Sequence, residues 1–134
     1  MNFLNFKNYL YIMVNTFKKK SLNRILQEIY AKEKSVSGSV IEFGAEAGSS
    51  KNFTNFVKLK DIKKILYCDK FPKNKETIEE DLESKLSLES DLIDNIIIFN
   101  VLEHVFDNKN AFLEMNRCLK KNSGNIIGST PFMH

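Results

Sequence analysis

Arginine is almost missing from this sequence: there are 2 arginines against 18 lysines in 134 residues. A nucleic-acid reader usually carries arginine, whose planar fork bonds base edges and phosphates bidentately. Net charge is only +3, too small a basic excess to imply nucleic acid. Cysteine is scarce as well, at Cys68 and Cys118 alone. No CxxC and no Cys/His ligand spacing occurs, which argues against a zinc or other metal site. Two distant cysteines fit a reducing cytoplasm. No run of 18 apolar residues occurs, so no transmembrane helix is expected. Lys7 interrupts the apolar start and no small-residue cleavage site follows, so no secretory leader is expected. No internal repeat and no low-complexity segment is found.

What remains is the composition of an ordinary soluble globular chain, 43 % apolar and 28 % charged. Its length suits one domain with one core. The surplus of lysine, and of asparagine at 15 residues, reads as AT-rich coding bias rather than as a partner signal.

Hydrophobic spacing gives a coarse map. Residues 2 to about 34 read as helical, because Phe3, Phe6, Leu10, Met13 and Phe17 recur at three and four residues, as do Leu22, Ile25, Leu26 and Ile29. Lys18-Lys19-Lys20 marks a bend between these stripes. Aromatics beside lysines suit a membrane surface, but the expected role of the stripes is to cover a sheet or a partner subunit. Ser35 to Ser39 reads as a linker of small residues, dividing a helical extension (1–35) from a core (36–134). A strand is expected up to Phe43, followed by a glycine turn through Gly44 and Gly48 and a helix over Lys51 to Leu59. Such a turn would leave backbone N–H groups free at the helix start.

Ile62 to Asp69 is a second strand, Thr77 to Asp81 a short third, and Ile93 to Asn100 a fourth. The unbroken run Ile96-Ile97-Ile98-Phe99 suits a strand buried on both faces, as in a parallel sheet. Asn108 to Lys121 is a helix with Phe112, Leu113, Met115, Cys118 and Leu119 inward, and Gly124 to Thr130 is a fifth strand. The class is therefore α/β, a Rossmann-like, mostly parallel sheet with flanking helices and an N-terminal helical extension. Ligands of such sheets bind beyond the carboxyl ends of the strands, where the strand order reverses. The glycine turn falls there.

A dinucleotide would want G-x-G-x-x-G at this turn. Counting from Gly44, the second and third places hold Glu46 and Ser49, and the glutamate would oppose a pyrophosphate. Glu42-x-Gly44-x-Glu46-x-Gly48 instead resembles the first motif of the class I S-adenosylmethionine-dependent methyltransferases, type 11-like, with Glu46 in place of the middle glycine. Further stretches resemble that family in order: Asp69 at the end of the second strand, Asp81-Leu82, Asp94 to Val105 with its Leu-Glu-His, and Phe112 to Gly124. The resemblance spans residues 39 to 131.

It implies S-adenosyl-L-methionine as cofactor, with contacts from Glu42, Gly44, Glu46, Gly48, Asp69, Asp81, Leu82 and Asn100. Asp69 would accept from the ribose hydroxyls, while Asp81 and the Leu82 backbone would hold the adenine. Glu42 could equally orient the glycine loop, and Asp81 could be plain acidic surface. Removal of the Glu46 side chain is expected to leave affinity unchanged or tighter. His104 is more readily a capping or packing residue than a base, so no catalytic residue is assigned. Arg117 is expected to pair with Glu103 or Glu114.

The family fold has seven strands against five expected here, so the resemblance implies a chain incomplete at the C-terminus. Two functions follow: methyl transfer to a small-molecule or glycan-related acceptor, to which Pro131-Phe132-Met133-His134 is similar in the corresponding segment, or a truncated, non-catalytic cofactor-binding or oligomerising remnant. Self-association through the exposed edge of the fifth strand is expected in either case.

Overall fold

The computed structural model describes residues 5–131, and the expectations for Phe3 and for residues 132–134 lie outside it. Five parallel strands form one sheet in the order β3-β2-β1-β4-β5. They are β1 (Ser35–Phe43), β2 (Lys58–Asp69), β3 (Ile78–Glu79), β4 (Asn95–Phe99) and β5 (Asn125–Ser129). Helices α1 (Phe6–Phe17) and α2 (Leu22–Glu33) precede the sheet, and α3 (Asn108–Cys118) joins β4 to β5. The α/β class and the five strands stand as expected.

Period-two alternation sets the two faces of the sheet. Ile41 and Phe43 of β1 and Ile96 and Ile98 of β4 point to one side, where Ala111, Met115 and Cys118 of α3 pack with Leu82, Leu86 and Ile93. Val36 and Val40 of β1 and Ile97 and Phe99 of β4 point to the other, where they meet Ala31, Phe53 and Val57. Every residue of β4 is buried, which is why Ile96 to Phe99 are continuously apolar and the Asn95 amide is bonded to the Ser37 carbonyl.

Several expectations need correction. Ser35 to Ser39 is no linker: it is the first half of β1, paired with Lys58 to Lys64 of β2 across an irregularity at Gly38. The Ser39 N–H is held there by the Asp94 carboxylate at 2.8 Å, which also pairs with Lys120 at 2.8 Å. Lys51 to Leu59 is no helix. It forms one 3-10 turn, Phe53–Asn55, and the chain then enters β2 at Lys58, earlier than the expected Ile62. The apolar spacing of Phe53, Phe56 and Val57 arises because a single turn presses them onto the sheet, with Phe53 stacked on Phe99 at 3.9 Å between ring centres. On α3, Phe112 and Leu113 point outward rather than inward. Among the expected inward set only Met115, Cys118 and the adjoining Leu119 are buried, joined by Ala111. Arg117 pairs with Glu114 at 2.7 Å, one of its two expected partners.

The N-terminal stripes divide. Of the α2 stripe, Ile25 and Ile29 are buried as expected but Leu22 and Leu26 are exposed, and Phe6, Leu10, Met13 and Phe17 of α1 are exposed as well. Helix α2 takes over the covering role that the missing helix after β1 would play. Its N-cap is Ser21, whose hydroxyl accepts from the Arg24 N–H. Its buried Glu28 draws in Lys20 at 2.9 Å, Arg24 at 2.8 Å and the Tyr11 hydroxyl at 2.5 Å. Lys18-Lys19-Lys20 does form the bend, with Lys19 at φ 58°.

Candidate functional site

The strand order reverses between β1 and β4, and the loop leaving β1 opens there. Gly44 has φ 70° and Gly48 φ 77°, a region that side-chain-bearing residues rarely enter. Gly44 is also pressed close: a Cβ would sit 2.4 Å from Cγ2 of Val101, the residue after β4 and Asn100. The loop spends most of its donors on protein. Gly44 and Ala45 N–H donate to the Cys68 carbonyl (2.8 and 3.2 Å), Ala47 N–H to Thr77 Oγ1 (2.9 Å) and Ser49 N–H to the Glu46 carbonyl (3.1 Å). The expected row of free N–H groups at a helix start is therefore not there.

Glu42 lies at the end of β1, 3 % exposed. Its carboxylate accepts from Phe53 N–H at 2.6 Å and Thr54 N–H at 2.8 Å, the start of the 3-10 turn. Burial, the largest influence, holds its carboxyl above the usual carboxylate range, against these hydrogen bonds and the charge of Arg24. Glu42 thus folds the loop back onto the strand.

Glu46 has a different role. It reaches across to the Lys73–Thr77 loop and accepts from Lys73 N–H (2.7 Å), Asn74 Nδ2 (3.0 Å) and Thr77 Oγ1 (2.8 Å). It ties the glycine loop to the loop before β3. Glu46→Ala is expected to cost about 1–3 kcal/mol in urea unfolding, as several charge-assisted bonds are lost at a partly exposed site. It should also speed proteolysis within residues 70–77. Unchanged cleavage there would mean that the tie is idle.

Two adjoining chambers open above the carboxyl ends of β1, β2 and β4, sharing Gly44, Asp69, Phe71 and Asn100. The first, about 470 Å³, is walled by Phe43, Leu82, Val101 and Val105 and carries Asp69 and Asp81. Asp69 ends β2, and one of its oxygens accepts from Phe71 N–H at 2.8 Å. Asp81 is more occupied, accepting from Glu83 N–H at 3.0 Å and pairing with Lys70 at 2.9 Å. These two contacts, the Glu83 hydrogen bond first, hold its carboxyl below the usual range. Cys68 also borders this chamber, but burial first, then the charge of Glu80, pushes its thiol up to about 12. It stays protonated and is no nucleophile. His104 is exposed on the rim.

The second chamber, about 720 Å³, lies over Glu42, Glu46, Asn52, Phe53 and Phe99 and is rimmed by Arg24, Lys51 and Lys73. Asn100, with φ 56°, turns its amide toward α2 and pairs reciprocally with Gln27, at 2.7 and 2.9 Å. Helix α2 therefore closes one wall of the site. The sequence reading missed Arg24 and Gln27. A signal existed for Arg24: in a lysine-biased chain, a retained arginine marks a place that needs a fork. Arg24 bonds Glu28, donates to the Lys51 carbonyl at 2.5 Å and lies 3.9 Å over the Phe53 ring. Arg117 forks likewise, from Glu114 to the Leu86 and Leu88 carbonyls.

The site thus brings Glu42, Gly44, Glu46, Asp69, Asp81, Leu82 and Asn100 around one cleft. Gly48 serves the turn and lines neither chamber. Family comparison gives a match to the methyltransferase domain over residues 46–127. The chain belongs to the methyltransferase-domain family. A search of curated proteins finds no match. One solved structure resembles this methyltransferase-domain chain, that of a proposed S-adenosyl-L-methionine-dependent methyltransferase from Methanococcus maripaludis. The TM-score is 0.50 at 17 % identity, covering 70 % of this chain. That likeness concerns the fold, and this chain spans about half, 49 %, of the length of that structure.

Proposed function

We propose that this methyltransferase-domain chain binds S-adenosyl-L-methionine across the two chambers and serves methyl transfer to a small-molecule or glycan-related acceptor. The observation that carries the reading is the pairing of the chambers around Gly44: one walled by apolar side chains and carrying Asp69 and Asp81, the other rimmed by both signs of charge. A phosphate ligand fits poorly, since most of the loop donors are spent on protein and carboxylates line both chambers. A ligand with an apolar ring, a diol, a cationic centre and a zwitterionic end fits well.

In this reading Asp69 accepts from the ribose hydroxyls with its unengaged oxygen. Leu82 and Val101 flank the adenine, with Asp81 at its edge. Arg24, Lys51 or Lys73 meets the carboxylate end. Glu42, Glu46 and Gln27 hold the loop and the Asn100 turn in place. The cofactor supplies a methyl group already activated on a sulfonium. The protein's part is to align donor and acceptor and to exclude water. No base is assigned.

Titration calorimetry with S-adenosylhomocysteine tests this. Asp69→Asn is expected to bind about 5- to 150-fold more weakly, the equivalent of about 1–3 kcal/mol. Equal affinity would remove Asp69 from the site.

A further inference from the structure

Helix α1 is packed inside out. Its buried side is polar: Asn15 is buried, and the Tyr11 hydroxyl reaches Glu28 while Lys32 sits 3.3 Å over the Tyr11 ring. Its outer side carries Phe6, Tyr9, Leu10, Met13, Val14 and Phe17, with Phe6 79 % and Phe17 82 % exposed. On a helix of 100° per residue these six fall within one broad stripe. A contiguous apolar stripe of this kind, turned to water on a folded domain, marks an interaction surface.

The charges beside it narrow the occupant. Lys7, Lys18 and Lys19 are exposed next to the stripe, and residues 1–20 contain no acid. Two copies meeting through α1 would bring these lysines together, with no acid on either helix to oppose them. As described, α1 has 12 residues and reaches about 18 Å, short of a hydrocarbon core of about 30 Å. No helix among the described residues is long and apolar enough to cross.

We propose that α1 is an interfacial docking helix that lays Phe6, Leu10, Met13 and Phe17 into the headgroup boundary of an anionic membrane. Aromatic and aliphatic residues enter the boundary, and the lysines meet the acidic headgroups. The polar seam to α2, through Tyr11, Lys32 and Glu28, fixes the helix to the domain while its apolar face stays free.

Co-sedimentation of the full chain with lipid vesicles tests this. Binding is expected to vesicles of phosphatidylcholine with phosphatidylserine, and to weaken steeply with salt. Phosphatidylcholine alone should bind on the order of a hundredfold less, at roughly fivefold for each of the three lysines. Leu10→Asp with Phe17→Asp should abolish binding without lowering the melting temperature, since neither side chain is buried. Lys18→Glu with Lys19→Glu should weaken binding to the anionic vesicles by tenfold or more, at roughly fivefold per lysine. Failure to bind anionic vesicles, or equal binding to both compositions, overturns the proposal. So does a wild-type dimer in sedimentation that the Leu10/Phe17 variant dissociates, which would make a second copy the occupant.

Discussion

Glu42→Ala is expected to cost about 2–5 kcal/mol and to abolish measurable cofactor binding. The substitution strands the Phe53 and Thr54 N–H groups in a buried place, and an orphaned buried donor costs about 1–3 kcal/mol. The loss is less than the sum of two such costs plus the carboxylate's own interactions, because Glu42 itself is desolvated. With the 3-10 turn unpinned, the Gly44–Gly48 loop loses the tie that holds it over β1. Glu42→Gln keeps one acceptor oxygen and is expected to cost about half as much.

The two variants also differ in pH response. The folded-state pKa of Glu42 is raised, so folding takes up protons between the unfolded and folded values. Its contribution is full below the ordinary carboxylate pKa and declines as pH rises through the raised one. The wild-type advantage over Glu42→Gln should therefore grow as pH falls through that window. Asp94 and Glu114 act the other way: their carboxyls are lowered, chiefly by Lys120 and Arg117, so what they contribute is lost as pH falls through their folded values. Urea unfolding across pH checks both. A wild-type advantage that shrinks toward acid would contradict the assignment for Glu42.

Gly128→Ala is the second large effect, and it acts on the sheet rather than the loop. Gly128 pairs with Ile98 in the β4–β5 ladder. A Cβ there would lie 1.9 Å from the Ile98 carbonyl oxygen and 2.9 Å from its Cγ2. Backbone oxygen cannot swing aside as a side-chain tip can, so β5 must shift or detach. The expected loss is about 3–5 kcal/mol, at the severe end for a single substitution. For a domain of this size that lowers the melting temperature by roughly 10–20 °C. Gly48→Ala is the control. Nothing lies within 4 Å of its Cβ position, and only its φ of 77° is strained, which costs about 1–2 kcal/mol. Equal melting temperatures for the two variants would show that the ladder tolerates the added atom.

The sheet was readable because its chemistry is local. Ile96-Ile97-Ile98-Phe99 is buried on both faces, and no surface strand would be written that way. The acid at the end of β2 and the glycines after β1 were readable because strand ends and positive φ select residue types. The stretch after Gly48 was not. Phe53, Phe56 and Val57 carry helical spacing, but nine residues cannot distinguish a helix from one turn that leads into a strand. What decides is Glu42, eleven residues earlier, whose carboxylate takes the N–H groups that a helix would have used at its start.

Helix α1 does not cover the sheet, one of the roles expected for it, because spacing identifies an apolar stripe but not where it points. The polar seam of Tyr11, Glu28 and Lys32 joins two helices across a bend, and only the folded chain brings it together. Glu46 was read as a substituted glycine facing the cleft. Its partners at Lys73, Asn74 and Thr77 lie 27 to 31 residues away, and no local pattern announces them.

The most direct measurement is an amide-shift titration of the isotopically labelled chain with S-adenosylhomocysteine. Saturable shifts are predicted at Gly44, Asp69, Leu82 and Asn100, with little change along β5 or α1. An absence of saturable shifts, or shifts confined to residues away from the two chambers, would contradict the proposal that this cleft is the cofactor site.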